Sequence, residues 1–307
     1  MVIKRRGFLK SSGRGLGLAF FSGPLGVMLN ACNNRPSILT DITIGAHPWV
    51  YAASLPKYDI TPVLPQIFAD IKYAGLGGVE LMHDPLRNDA TTARIIELKE
   101  EHNMPVIGTS YGASMWDREK HSEILDDVER IIINLEKTGG KTMGTSVGSS
   151  GELKTEEQLD AQAELLQKIM VICKDHGIVL NLHNHTYEVE NHLHDLKGTL
   201  KRIPDAPLGP DLNWLIRGGV DPVEFINTYG HKMVFCHLRN QDSLGKWTED
   251  LKTGVMDYPG VAHALQKVNF KGYAVIELAH ENDFKTTRPI RESLKISREY
   301  FESLFKF

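Results

Sequence analysis

"GIVLNLHNH", residues 177–185, begins on a glycine, runs through Ile178, Val179, Leu180 and Leu182, and ends in the polar group His183-Asn184-His185. A short apolar run bounded by a glycine and a polar cluster reads as a buried strand. The residues before it, "TEEQLDAQAELLQKIMVICKDHG" (155–177), carry their apolar side chains at helical spacing and close on that same glycine. The pairing of strand and helix is therefore set here, and it repeats in both directions along the chain.

Upstream the predicted strands are "ITIGAHPW" (42–49), "GGVELMHD" (77–84), "PVIGTSYG" (105–112) and "KTMGTSVG" (141–148), separated by helical patterns over 61–75, 91–103 and 122–140. Downstream come a helix near 195–203, a sixth strand "LGPDLN" (208–213), a helix over 221–230, a seventh strand "KMVFCHLRN" (232–240), a helix over 258–269, an eighth strand "GYAVIEL" (272–278) and a last helix from about Arg288. Eight such units predict an α/β fold of the (β/α)8 TIM-barrel type, which typically needs about 250 residues. An open doubly wound sheet alternates in the same way. Against it, the turn after the first strand, "GAHPWVYAAS" (45–54), has no GxGxxG phosphate fingerprint.

The N-terminus belongs to a different regime. "MVIKRRGFLK" (1–10) is followed by an apolar, glycine-rich stretch to Met28 and then by Leu29-Asn30-Ala31-Cys32. A basic segment, a modest apolar segment and a small residue before a cleavage point form an export signal and are excluded from fold reasoning. Arg5-Arg6 resembles a twin-arginine signal, and the segment ending at Cys32 resembles a lipoprotein box in which that cysteine is acylated. The expected organisation is a signal over 1–31, a tether over 32–40 and one barrel domain over 41–307. The expected location is periplasmic or at the outer envelope, with the membrane touched only through a lipid on Cys32.

Removal of residues 1–31 takes five of the 35 Lys and Arg and none of the 39 Asp and Glu, so the net charge moves from −4 to −9. Such a chain is a poor partner for nucleic acid, whose affinity rests on neutralising phosphates. Cys173 and Cys236 lie inside apolar runs and are expected to be buried thiols, although an exported chain could pair them. Oligomeric state is not legible in the sequence, and a homo-oligomer is left open.

Barrel enzymes carry their chemistry at the C-terminal ends of the strands. In this chain those ends supply His47, Glu80, His83, His183, His185, Asp211, His237, Arg239 and Glu277. His183, Asp211, His237 and Glu277, from predicted strands five to eight, form a mixed nitrogen and oxygen ligand set suited to one divalent ion: Mn, Co, Zn, Fe or Ni. A single His or Asp at a strand end is commonly only a satisfied polar residue; four on consecutive strands are harder to explain that way. Trp49, Trp116, Trp214 and Trp247 sit in or beside the same loops, where they either stack on a ligand ring or pack the rim.

The stretches "GGVELM", "GIVLNLHNH", "GPDLNW", "VFCHLRN" and "GVMDYPGVAHALQKVNFKGYAVIEL" resemble the sugar phosphate isomerase/epimerase family with its xylose-isomerase-like barrel. The resemblance covers nearly all of the chain after the signal. It implies metal-dependent chemistry on sugars or polyols, with Asp211, His237 and Glu277 in three of the family's four ligand positions. The fourth, a glutamate in a Leu-Glu-Asn-His pattern, is His183 in this chain. A family histidine is replaced by Trp214, and a Lys-Asp pair by Arg239-Asn240.

The replaced glutamate serves that family as both ligand and acid/base, so a two-carboxylate epimerase is not expected. One base beside a metal-polarised carbonyl can still remove the neighbouring proton. If a leaving group stands on the next carbon, elimination follows. The expectation is a 3-keto-glycoside 1,2-lyase, an activity of exported relatives in the resembled family. The alternatives are an aldose-ketose isomerase or epimerase, and a non-catalytic sugar-binding lipoprotein. Base candidates are His185, since imidazole titrates near neutrality, Glu80, and Glu277 if one of its oxygens is free. His47, Trp214 and Arg239 are expected to hold the carbohydrate substrate.

Overall fold

The computed structural model describes residues 41–281 and 284–305. Seven parallel strands form one sheet: β1 (Ile42–Ala46), β2 (Val79–Met82), β3 (Val106–Gly112), β4 (Thr142–Ser146), β5 (Val179–Leu182), β6 (Phe235–Leu238) and β7 (Gly272–Ile276). They neighbour one another in the order β5-β4-β3-β2-β1-β7-β6, so β5 and β6 face each other across one gap. The predicted sixth strand belongs in that gap but is not a continuous strand. Leu208 bridges Leu182 on one side and Met233 on the other, and Asp211 bridges His237.

Two features shorten that segment. Pro207 and Pro210 lack the N–H that a ladder needs, and Asp211 starts a helix instead of prolonging the strand. Gly209 is also required there, because a Cβ would come within 1.7 Å of Asn181 Oδ1. Backbone hydrogen bonds on both sides, Leu182 N–H to Pro207 O and Gly209 N–H to Leu182 O towards β5, and Leu208 N–H to Lys232 O, Val234 N–H to Leu208 O and His237 N–H to Pro210 O towards β6, join the two into a near-closed barrel. The predicted seventh and eighth strands are therefore β6 and β7.

The helices are α1 (Trp49–Ala52), α2 (Leu64–Tyr73), α3 (Asp89–His102), α4 (His121–Thr138), α5 (Glu156–Asp175), α6 (Thr186–Arg202), α7 (Leu212–Arg217), α8 (Pro222–Tyr229), α9 (Tyr258–Lys267) and α10 (Ile290–Ser303). Most lie where the apolar spacing puts them. The helix expected near 195–203 starts earlier, at Thr186, and is interrupted where Asn191, His192 and Leu193 take positive φ. The first turn, "TYEV" (186–189), is a single turn cut off from the rest of α6 by that interruption, too short to show a helical period. α5 shows why its prediction holds: Thr155 and Gln158 form a reciprocal capping box at its start.

Buried Ile, Leu, Val and Phe from strands and helices merge into one large core. A small separate cluster of Ile107, Phe235 and Val275 packs apart from it. Cys173 and Cys236 are buried and unpaired, as the apolar runs around them predict. Among the described residues no helix is long and apolar enough to cross a membrane. The twin-arginine pair, Cys32 and the tether lie outside the described residues.

Candidate functional site

Three side chains meet where the barrel closes. His183 follows β5, Asp211 ends the shortened sixth segment and His237 lies in β6; each offers a ligand atom within 4.8 Å of the others'. Local sequence explains each position. Asp211 caps α7, its Oδ1 accepting from the N–H groups of Asn213 and Trp214 at 2.9 Å each, which leaves Oδ2 directed elsewhere. Asn184, buried between the two histidines of the opening stretch, accepts from the Asp211 N–H at 3.2 Å and so ties the end of β5 to the sixth segment. His183 itself is positioned by its N–H donating to Thr145 O.

His237 is held from both edges. Its Nε2 lies 2.5 Å from Glu80 Oε2, and its Nδ1 lies 3.1 Å from Glu277 Oε2 without the alignment of a hydrogen bond. Glu80 is fully buried. Arg239, two residues on, places Nη2 2.9 Å from Asp211 Oδ2 and also contacts Glu277 Oε2. Glu277 therefore stands beside the trio, paired with His237 and Arg239.

The electrostatics follow from three buried carboxylates around two cationic groups: Arg239 faces Asp211 and Glu277, and His237 faces Glu80 and Glu277. Burial disfavours the imidazolium of His237, yet Glu80 and Glu277 outweigh it and push the group up to about 9. Burial raises Asp211, against the pull of Arg239. Burial would raise Glu277 too, but Arg239 and His237 hold it well below the usual carboxylate range. His183 is driven well below its ordinary value by burial and by the neighbouring His237.

A divalent ion fits this arrangement. His183 Nδ1 and His237 Nδ1 are enclosed and make no hydrogen bond, a costly state for buried polar atoms, and Asp211 Oδ2 beside them is met only by the Arg239 ion pair. The Glu80 contact would fix the His237 proton on Nε2 and turn Nδ1 towards the ion, the usual orienting arrangement behind a histidine ligand.

His185 belongs to a second group. Its Nδ1 lies 3.2 Å from Ser146 Oγ and 3.1 Å from the Tyr187 hydroxyl, and its ring meets those of His183 at 5.0 Å and Trp214 at 5.5 Å. Burial lowers it to about 4. Behind it Glu188 is buried; its Oε1 accepts from Ser146 Oγ at 2.6 Å and from Val147 N–H, and its Oε2 from His185 N–H at 2.7 Å. Burial pushes the Glu188 carboxyl up to about 7. Sequence reasoning missed Ser146, Tyr187 and Glu188. The sequence carries no clear signal for them: a capping box begins on Ser, Thr, Asp or Asn three residues before its glutamate, and His185 stands in that place.

The remaining expected residues divide. His47 packs against the site: its Nε2 is 3.0 Å from Ser110 Oγ, its Nδ1 accepts from Trp49 N–H, and Glu277 Oε1 is 3.5 Å away. Trp214 and Trp247 meet edge to face at 5.4 Å and form a wall beside Arg239, whose guanidinium is 4.9 Å from the Trp247 ring. Arg217, also missed, lies 3.4 Å over Trp247 and is held by Gln241 and Gly245 O. The tryptophan and arginine are 30 residues apart in sequence, so only the fold brings them together. Trp49 packs on Tyr58, and Trp116 donates to Ser149 O. His83 contacts Ser110 O on the rim.

The family described as xylose isomerase-like TIM barrel matches residues 68–300. Among solved structures, a D-allulose 3-epimerase from Methylomonas sp. in complex with D-allulose superposes with a TM-score of 0.71 at 15% identity, over 86% of this chain and 97% of that one. A sugar phosphate isomerase/epimerase from Parabacteroides distasonis gives 0.68 at 16%, over 86% and 96%. A 3-keto-D-glucoside 4-epimerase from E. coli, in its apo form, gives 0.66 at 16%, over 85% and 99%. At these identities the likeness speaks for the fold alone. No curated protein sequence matches the chain.

Proposed function

The chain belongs to the xylose isomerase-like TIM-barrel family, and on that premise we propose that it is a metal-dependent sugar isomerase or epimerase that removes a proton from the carbon next to a sugar carbonyl. The observation that carries this is the convergence of His183, Asp211 and His237, with Glu277 alongside, at the mouth of the barrel next to His185.

His183, Asp211, His237 and Glu277 would hold the ion, whose contribution when bound is to polarise a carbonyl or hydroxyl oxygen and so acidify the adjacent carbon. Arg239, between Asp211 and Glu277, favours the ionised form of each carboxylate and presents a donor to a substrate oxygen. The Trp214–Trp247 wall supports one face of a sugar ring. His185 takes the proton: as a neutral imidazole at neutral pH it has a lone pair to offer. Glu80 is enclosed behind His237, which suits a positioning role better than that of base. Glu277, the other base candidate, has Oε2 taken by Arg239 and His237 and is held well below the usual carboxylate range, which suits a ligand better than a proton carrier.

A second reading is β-elimination from a 3-keto-glycoside. What favours it is His183 in the place of the family's glutamate, which removes one of the two carboxylates that exchange protons on opposite faces. The export signal ending at Cys32 agrees with it, because glycosides are the more abundant sugars outside the cytoplasm. Export, lipidation and envelope location are part of this proposal.

Free ketoses and 3-keto-glycosides, incubated with the metal-loaded protein in deuterated water, separate the readings. Isomerisation or epimerisation returns a sugar of unchanged formula carrying solvent deuterium; elimination releases the aglycone and an unsaturated sugar. Absence of both, with bound metal present, overturns the enzyme reading in favour of a sugar-binding protein. Unchanged metal content and activity after His237→Ala or Asp211→Ala would refute the site.

A further inference from the structure

We infer that Ser146, Tyr187 and Glu188 form a one-directional hydrogen-bond chain that fixes the His185 proton on Nδ1 and keeps Nε2 as the free lone pair facing the barrel mouth. The inference rests on His185 being the base proposed above, and it adds three positioning residues to that site.

The argument is a count of hydrogens. Ser146 Oγ lies 2.6 Å from Glu188 Oε1, 2.9 Å from the Tyr187 hydroxyl and 3.2 Å from His185 Nδ1. The Tyr187 hydroxyl is in turn 3.1 Å from His185 Nδ1. A hydroxyl has one hydrogen to give. The shortest of these contacts is to a carboxylate whose two oxygens also accept the N–H groups of Val147 and His185. With Glu188 ionised, Ser146 gives its hydrogen there and can only accept from its other neighbours.

Two arrangements then remain. If Tyr187 donates to His185 Nδ1, the 2.9 Å contact between Tyr187 and Ser146 holds no hydrogen and two oxygens face each other lone pair to lone pair. If Tyr187 donates to Ser146, His185 Nδ1–H donates into the pair of hydroxyls, and the contacts run in one sense: His185 to Tyr187 and Ser146, and Ser146 to Glu188. The second arrangement leaves no close oxygen pair without a hydrogen, so it is the lower in energy.

The consequence is functional because a tautomer decides which nitrogen can act. When Nε2 accepts a proton from substrate carbon, the imidazolium that results already has its Nδ1–H directed along the chain to the buried Glu188 carboxylate. Glu188 is thus a positioning residue acting through Ser146, and it reaches no substrate itself.

The test is nitrogen-15 NMR of histidine-labelled protein, loaded with diamagnetic zinc, at about pH 8.5, where Glu188 is ionised. His185→Gln assigns the signal. The expected spectrum is a protonated Nδ1 and an unprotonated Nε2 for His185. Ser146→Ala leaves Nδ1 as the only protein partner recorded for the Tyr187 hydroxyl and is expected to move the proton to Nε2, with kcat falling roughly 10- to 100-fold at little-changed KM. Tyr187→Phe keeps the serine and is expected to retain the Nδ1–H form, which separates this chain from a general loosening of the fold. A protonated Nε2 in the unmodified protein, or the same tautomer and kcat after Ser146→Ala, overturns the inference. The spectrum needs no substrate: the expected tautomers without exchange on any sugar would sustain the chain and overturn the proposed function instead.

Discussion

Glu80 Oε2 lies 2.5 Å from His237 Nε2, and both side chains are buried. The two residues are 157 positions apart and arrive from β2 and β6. The contact gives His237 a fixed orientation and, with Glu277, an unusually firm hold on its proton.

Replacing Glu80 with Gln keeps the shape and removes the charge. Metal binding is expected to weaken about 10- to 100-fold at pH 9, the range that loss of an orienting partner usually costs. Calorimetric titration with zinc or manganese measures it. Unchanged affinity would mean that His237 needs no support from β2.

Metal uptake is expected to release a proton. The folded, metal-free His237 holds its proton up to about pH 9, and its Nδ1 can ligate only once the ring is neutral. Apparent affinity therefore rises with pH through neutrality, by up to about tenfold per unit, and levels above about pH 9. Titrations in buffers of different ionisation enthalpy count the released protons, and Glu80→Gln should flatten the dependence.

Glu188 predicts a pH-dependent stability. Its folded value near 7 lies above the ordinary carboxylate value of 4.5, so the folded chain binds the proton more tightly than the unfolded one. The stabilisation is complete below about pH 4.5 and is lost as pH rises through about 7, with a magnitude on the order of 3 kcal/mol. Urea unfolding at pH 5 and pH 8 should show Glu188→Gln losing less stability than the unmodified chain between the two. Equal losses would place the titration elsewhere.

Trp247→Ala is expected to raise KM for a sugar substrate roughly 3- to 10-fold with little change in kcat, since ring stacking contributes to ground state and transition state alike. A fall in kcat with KM unchanged would instead assign the wall to holding Arg239 in place.

Much of this molecule was legible in its residues. The alternation around "GIVLNLHNH" predicts the barrel because apolar periodicity reports which side of an element is buried. The ends of the strands name His183, Asp211, His237 and Glu277 because barrel topology directs those ends to one rim. The sixth segment departs from the expectation: "LGPDLN" has the apolar content of a strand, while Pro207 before it, Pro210 within it and the capping Asp211 reduce it to isolated bridges at Leu208 and Asp211 and the start of α7.

Sequence alone thus determined the alternation of strand and helix, the order of most elements and the polar side chains that stand at the strand ends, since each depends on local pattern and on a topology that repeats. Tertiary structure decided what those side chains do to one another. That Glu80 serves His237, that Arg239 lies between Asp211 and Glu277, and that Ser146 and Glu188 stand behind His185 are contacts between distant strands and loops. Their strength comes from burial, and burial exists only once the barrel has closed.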